Sequence, residues 1–213
     1  MEQEKRVIDF YVLSNKLKDV IRTGWKDWGV DRERVESVAE HIYGTQMLAL
    51  AMWSEYKYEL DISRVMFMLA VHELEETIIG DLTLFQISKE EKDRLGHEAI
   101  QQILSGLLCG EDVKALILEF DERETAEARF AYQCDKLECD IQCKLYDEQG
   151  CVDLEGQKEK AIARRPEVKE LIDSGKSWSD MWLMFGQRRY NYDKNFKSVS
   201  DYAMANKITK KGN

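Results

Sequence analysis

The chain has 213 residues, 44% of them hydrophobic, and carries a formal net charge of −10 at pH 7. That length serves one large domain with a sizeable core, and the surplus of acid argues against a non-specific polyanion binder, so nucleic acid is not expected as a partner. No run of about 18 apolar residues is present to span a membrane, and five cysteines behind no secretory leader suit a reducing cytoplasm better than a disulfide framework.

One proline and few glycine clusters leave little punctuation for strands and hairpins, so the chain reads as all-α. The first helix is expected near residues 4–21, where Val7, Phe10, Tyr11, Leu13, Leu17, Val20 and Ile21 form one largely apolar face. It stops around Thr23 and Gly24. A second helix runs from about Glu33 to Tyr56, with Val35, Val38, Ile42, Leu48 and Met52 as its core stripe and His41 beside that stripe. Asp61 and Ser63 offer caps for a third over residues 64–78, almost continuously apolar from Val65 to Val71 and ended by Gly80. Ser88-Lys-Glu-Glu91 is a capping-box pattern that opens a helix to about Leu108, with Leu95, Ile100, Ile103, Leu104 and Leu107 inward. A shorter helix over 111–120 precedes a long amphipathic one from Thr125 to Tyr146, whose inner face is Phe130, Cys134, Leu137, Ile141 and Leu145, with Asp135 adjoining. Beyond Gly150 the pattern weakens until a Trp- and Met-rich helix from about Ser177 to Ala205 and a basic tail. With no internal repeat, residues 1–213 are expected to form a single domain: a core of about 5–150, a helical extension of about 155–205, and a tail, 206–213.

The third helix ends in acid, His72-Glu73-Leu-Glu75-Glu76 and then Gly80-Asp81, where an unpaired carboxylate against a core would be costly. On a helix His72, Glu73 and Glu76 fall within one turn, at spacings that face together. His41, His72, Glu73 and Asp135, drawn from three helices, make a set of imidazole and carboxylate donors suited to manganese, cobalt, iron, magnesium or zinc. Glu75, at a different helical angle from Glu76, is expected to be solvated, and His97, in a polar stretch, to lie at the surface. Lys136 is expected to be structural, and Trp178, Trp182 and Met184 to cover the core or a dimer surface.

The order of these residues resembles the HD-domain metal-dependent phosphohydrolases, whose signature is a histidine, a later His-Asp pair and a distant aspartate. The closer resemblance is to the 5′-deoxynucleotidase-like branch. It is carried by Ile21-Arg-Thr-Gly-Trp25, Glu36-Ser-Val-Ala-Glu-His41, His72-Glu-Leu-Glu-Glu-Thr-Ile-Ile-Gly-Asp81 and Ala128-Arg-Phe-Ala-Tyr-Gln-Cys-Asp-Lys-Leu137. The chain departs from the family at the defining dipeptide, where Glu73 replaces aspartate and its extra methylene moves the oxygens by roughly 1.5 Å.

The resemblance implies a helical bundle of the HD type holding one divalent ion through His41, His72, Glu73 and Asp135. It implies a phosphomonoesterase that hydrolyses deoxynucleoside or nucleoside 5′-monophosphates to nucleoside and phosphate. Glu76 would orient or deprotonate the attacking water, and Arg22 would hold the phosphate. Trp25 would pack on sugar or base, and Asp81 would contact the 3′-hydroxyl and discriminate against a 2′-hydroxyl. Three histidines in all leave little for a second ion. A homodimer is expected from the family. Two alternatives stand: a weakened HD domain that binds nucleotide without turning it over, favoured by Glu73, and an HD phosphohydrolase acting on another nucleotide.

Overall fold

The computed structural model describes residues 2–83 and 86–209. The helices are α1 (Glu2–Ser14), α2 (Thr23–Asp27), α3 (Val38–Tyr56), α4 (Ile62–Val71), α5 (Glu76–Ile79), α6 (Lys89–Leu104), α7 (Gly110–Glu122), α8 (Ala126–Glu148), α9 (Pro166–Asp173), α10 (Trp178–Arg189) and α11 (Lys194–Ala205). Among the described residues the only extended pairing is an isolated antiparallel bridge between Ile21 and Ser37, so the all-α expectation holds.

Side-chain caps explain where several of these helices begin. Ser37 and Glu40 form a reciprocal capping box at the start of α3, the Ser37 N–H donating to Glu40 Oε2 at 2.9 Å while Ser37 Oγ accepts from the Glu40 N–H at 3.3 Å. Asp61 accepts from the N–H groups of Ser63 and Arg64, Ser88 from that of Glu91, and Ser177 from that of Asp180. The second helix therefore starts several residues later than Glu33, because the cap lies at Ser37 and the preceding residues are extended or turned.

Three other expectations are corrected. The first helix ends at Ser14, passes through a 3₁₀ turn over Asn15–Lys18, and turns Val7 and Tyr11 to solvent at 63% and 60% exposure. Its core contacts come from Phe10 and Leu13 instead, since only one side of a helix at the edge of a bundle meets a neighbour. The third helix breaks at His72, where short bonds from Leu74 N–H to Val71 O and from Glu76 N–H to Glu73 O tighten the chain before α5 resumes. The Trp-rich helix is two helices, because Asp193 caps α11 after an extended Tyr190 closes α10.

The chain divides into two compact units. The first comprises Met1–Thr23 and Glu36–Tyr132, with a core of Val71, Leu74, Ile100, Ile103, Leu104 and Ile117. The second comprises Gly24–Val35 and Gln133–Asn213 and is centred on Trp25, Trp28, Cys143, Tyr146, Trp178 and Met181. Trp178 is 1% exposed, and Trp182 and Met184 pack against the same cluster, so the C-terminal aromatic residues serve this core. No helix among the described residues is long and apolar enough to cross a membrane.

Candidate metal centre

In the first unit two main-chain ties set the position of Arg22. The Arg22 N–H donates to Glu36 O at 3.0 Å and the Val38 N–H to Val20 O at 2.8 Å, on either side of the Ile21–Ser37 bridge. The same Ser37 cap starts α3 one turn before His41, so one local structure places both a guanidinium and an imidazole. His41 is fully buried, and its ring centroid lies 5.6 Å from that of His72.

His72 is the C-cap of α4, and its Nδ1 lies 2.8 Å from Leu69 O. A carbonyl can only accept, so Nδ1 carries the proton and Nε2 is left with its lone pair. That Nε2 stands 3.8 Å from Glu73 Oε1. Glu73 Oε1 is in turn 3.6 Å from Arg22 Nη1, and both of these side chains are largely removed from water, at 15% and 14% exposure. His41, His72 and Glu73 each offer a donor atom within 4.8 Å of one another. Two imidazoles and a carboxylate at this spacing suit a divalent ion of the first transition row or magnesium.

Glu76 opens α5 with its side chain 1% exposed. Its Oε1 accepts from Lys92 Nζ of α6 at 3.3 Å, while its Oε2 is buried with no hydrogen-bond partner among the described residues. Burial, followed by the neighbouring charges of Glu73 and Asp81, holds the Glu76 carboxyl well above its ordinary range, and Lys92 and Arg22 oppose that push. Glu75 is also enclosed. Its Cγ lies 3.4 Å from where a side chain on Gly96 would start, and burial reinforced by Glu73 raises its carboxyl to about 8. The expectation that Glu75 is solvated is thus corrected: the tightened chain at 72–75 turns it against α6 instead of outward. Glu73, Glu75, Glu76 and Asp81 repel one another across Lys92 and Arg22, a repulsion that a divalent cation would relieve, and the orphaned Glu76 oxygen fits the same requirement.

Asp81 lies just past Gly80, whose φ of 73° ends α5. Its Oδ2 accepts from the Thr23 N–H, and its carbonyl oxygen accepts from Thr23 Oγ1 at 2.6 Å. These bonds fasten the start of α2 to the Gly80 turn, so Asp81 has a structural task whatever else it contacts. His97 is half exposed, beside Asp121 at 3.4 Å.

Two expected site residues belong to the second unit. Asp135 lies on α8, 3% exposed, with Lys136 Nζ 2.7 Å from its Oδ2. Trp25 is 1% exposed and surrounded by the rings of Tyr146, Trp178 and Trp182 at centroid distances of 5.4, 6.1 and 5.3 Å. Its indole is enclosed by these rings, so Trp25, expected to pack on sugar or base, packs in the aromatic core of the second unit. Sequence reasoning missed Lys92, because sixteen residues separate it from Glu76 and in its own helix it reads as one polar residue among many.

The HD domain family profile matches residues 14–174. The chain is 34% identical over 150 residues to the 5′-deoxynucleotidase HDDC2 of Dictyostelium discoideum, an alignment covering 67% of this chain and 78% of that protein. It is 32% identical over 148 residues to the 5′-deoxynucleotidase hdd1 of Schizosaccharomyces pombe, covering 66% and 72%. Among solved structures, the PH0347 protein of Pyrococcus horikoshii OT3 shares the fold with a TM-score of 0.67 at 21% identity, over 93% of this chain and 98% of that one. The histidines, acidic turn and helical scaffold found in the first unit thus stand inside a match that takes in most of the sequence, and the chain belongs to the HD-domain family.

Proposed function

We propose that this protein is a metal-dependent phosphomonoesterase that hydrolyses deoxynucleoside 5′-monophosphates to nucleoside and phosphate. The observation that carries this reading is the grouping of His41, His72 and Glu73 beside a buried Glu76, in a chain whose relatives are named 5′-deoxynucleotidases. In this proposal Asp135, buried on α8, joins these three as the fourth ligand of one divalent ion: manganese, cobalt, magnesium, iron or zinc. When bound, the ion supplies Lewis acidity toward the phosphoryl group and its attacking water.

The remaining work falls to side chains. Glu76 takes the proton from the attacking water, for which its unshared Oε2 is the available oxygen. Arg22 exchanges its contact with Glu73 for charge-assisted hydrogen bonds to the phosphate. Asp81 offers a carboxylate to the sugar 3′-hydroxyl from a turn already pinned by Thr23. We further propose a cytoplasmic homodimer, supported by Val7, Ile8, Tyr11 and Val12 of α1 and by Tyr43, Met47 and Leu50 of α3, all of which remain exposed.

The test is phosphate release from a panel of deoxy- and ribonucleoside 5′-monophosphates in manganese, cobalt, magnesium or zinc, with a chelated control. Metal-dependent release favouring the deoxy series is expected. A second reading, a nucleotide-binding protein with weak turnover, is favoured by Glu73 itself, whose longer side chain reaches the Arg22 guanidinium. Nucleotide binding without release under any metal would establish that alternative.

A further inference from the structure

Lys92 stands out as a charged group that the chemistry above leaves without a role. It lies one turn into α6, whose start is fixed by the Ser88 cap, and α6 approaches the acidic turn closely enough at Gly96 to touch Glu75. Its ammonium is 3.3 Å from Glu76 Oε1, with the lysine side chain 26% exposed and the glutamate 1% exposed. The two oxygens of Glu76 are therefore unequal: Oε1 has a cationic partner, and Oε2 is buried with no hydrogen-bond partner among the described residues.

We propose that Lys92 is a positioning residue that holds Glu76 by Oε1 and so presents Oε2 to the attacking water. This inference rests on the phosphatase reading for the role of Glu76. A carboxylate on a two-carbon stem has several rotamers, and a single anchored oxygen removes most of them before substrate arrives. A lysine suits the task because its ammonium is a point charge that engages one oxygen, whereas the planar guanidinium of an arginine pairs with both oxygens of a carboxylate. The other charged groups around Glu76 are Glu73 and Glu75 in the preceding turn, Asp81 beyond Gly80, and Arg22, and only Lys92 is bonded to its carboxylate among the contacts described.

The test compares Lys92→Met, Glu76→Gln and the double variant with the wild-type chain in the metal that best supports phosphate release. Lys92→Met is expected to lower kcat by roughly 10- to 100-fold, part of the 10²- to 10⁴-fold typical of a general base, with KM changed by less than about threefold. The double variant is expected to be no slower than Glu76→Gln alone, because the lysine acts only through that carboxylate. A wild-type kcat in Lys92→Met, or losses that multiply in the double variant, would overturn the proposal. Should Lys92→Met fold poorly, Lys92→Gln takes its place in the same cycle. A wild-type chain that releases no phosphate defeats the phosphatase reading, and the crystal structure of the Lys92 variant then decides this proposal separately. A Glu76 carboxylate turned away from its wild-type position supports it, and an unmoved one overturns it.

Discussion

Replacing Trp25 separates packing from recognition. A tryptophan side chain buries roughly 150–250 Å², which at about 25 cal/mol per Å² corresponds to about 4–6 kcal/mol. Truncations of buried tryptophan to alanine cluster at about 3–5 kcal/mol, and with Trp25 1% exposed among three aromatic rings the upper part of that range, about 4 kcal/mol, is expected. For a urea slope of about 2 kcal/mol per M, the midpoint of the transition that unfolds the second unit falls by about 2 M in Trp25→Ala. Circular dichroism is the suitable probe, because removal of an indole alters fluorescence directly. The milder Trp25→Phe, which keeps a ring in the cluster, should show a smaller loss of stability and an unchanged KM for nucleotide. A Trp25→Phe protein with a wild-type urea midpoint and a KM raised tenfold would refute the core assignment and return Trp25 to the substrate.

Glu76→Gln should slow phosphate release by roughly 10²- to 10⁴-fold while metal content, measured by elemental analysis, and nucleotide binding, measured calorimetrically, stay at wild-type levels. Asp135→Ala should instead purify with less metal under the same conditions; full occupancy would remove it from the ligand set. Glu148 offers a test of stability against pH. Burial opposes its ionisation, yet bonds from the Thr209 N–H and hydroxyl and the Ile208 N–H, with Lys144 nearby, hold its carboxyl down to about 2. Because the folded value lies below the ordinary 4.5, its contribution is present in full above that value and is lost as pH falls toward 2. Glu148→Gln should therefore flatten the acid side of the stability profile between these limits, and an unchanged slope in thermal unfolding would count against the account.

The sequence made the helical class and several capping residues legible because each has a local signal. Asp61 and Ser88 cap helices within three residues of themselves, and an apolar run such as Val65–Val71 declares its burial along its own length. The break at His72 was not legible, since nothing in His72-Glu-Leu-Glu-Glu76 forbids a helix and the tightening is imposed by what the segment packs against. The same limit explains Trp25, whose neighbours Trp178 and Trp182 are more than 150 residues away in the chain. It explains Glu75 and Lys92 as well, whose significance arises only where α6 meets the acidic turn.

The lacing of residues 20–22 to residues 36–38 has a consequence for how this sequence can change. Arg22 is delivered by N–H and C=O groups, which every residue except proline provides in full, so exchanging the side chains of Val20 or Ile21 leaves the main-chain register intact. Inserting or deleting a single residue between Val20 and Arg22 would shift that register and carry the guanidinium away from Glu73. This stretch should thus tolerate drift in composition while keeping its length fixed, and a proline at Arg22 or Val38 would break it by removing a donor rather than by changing charge or bulk.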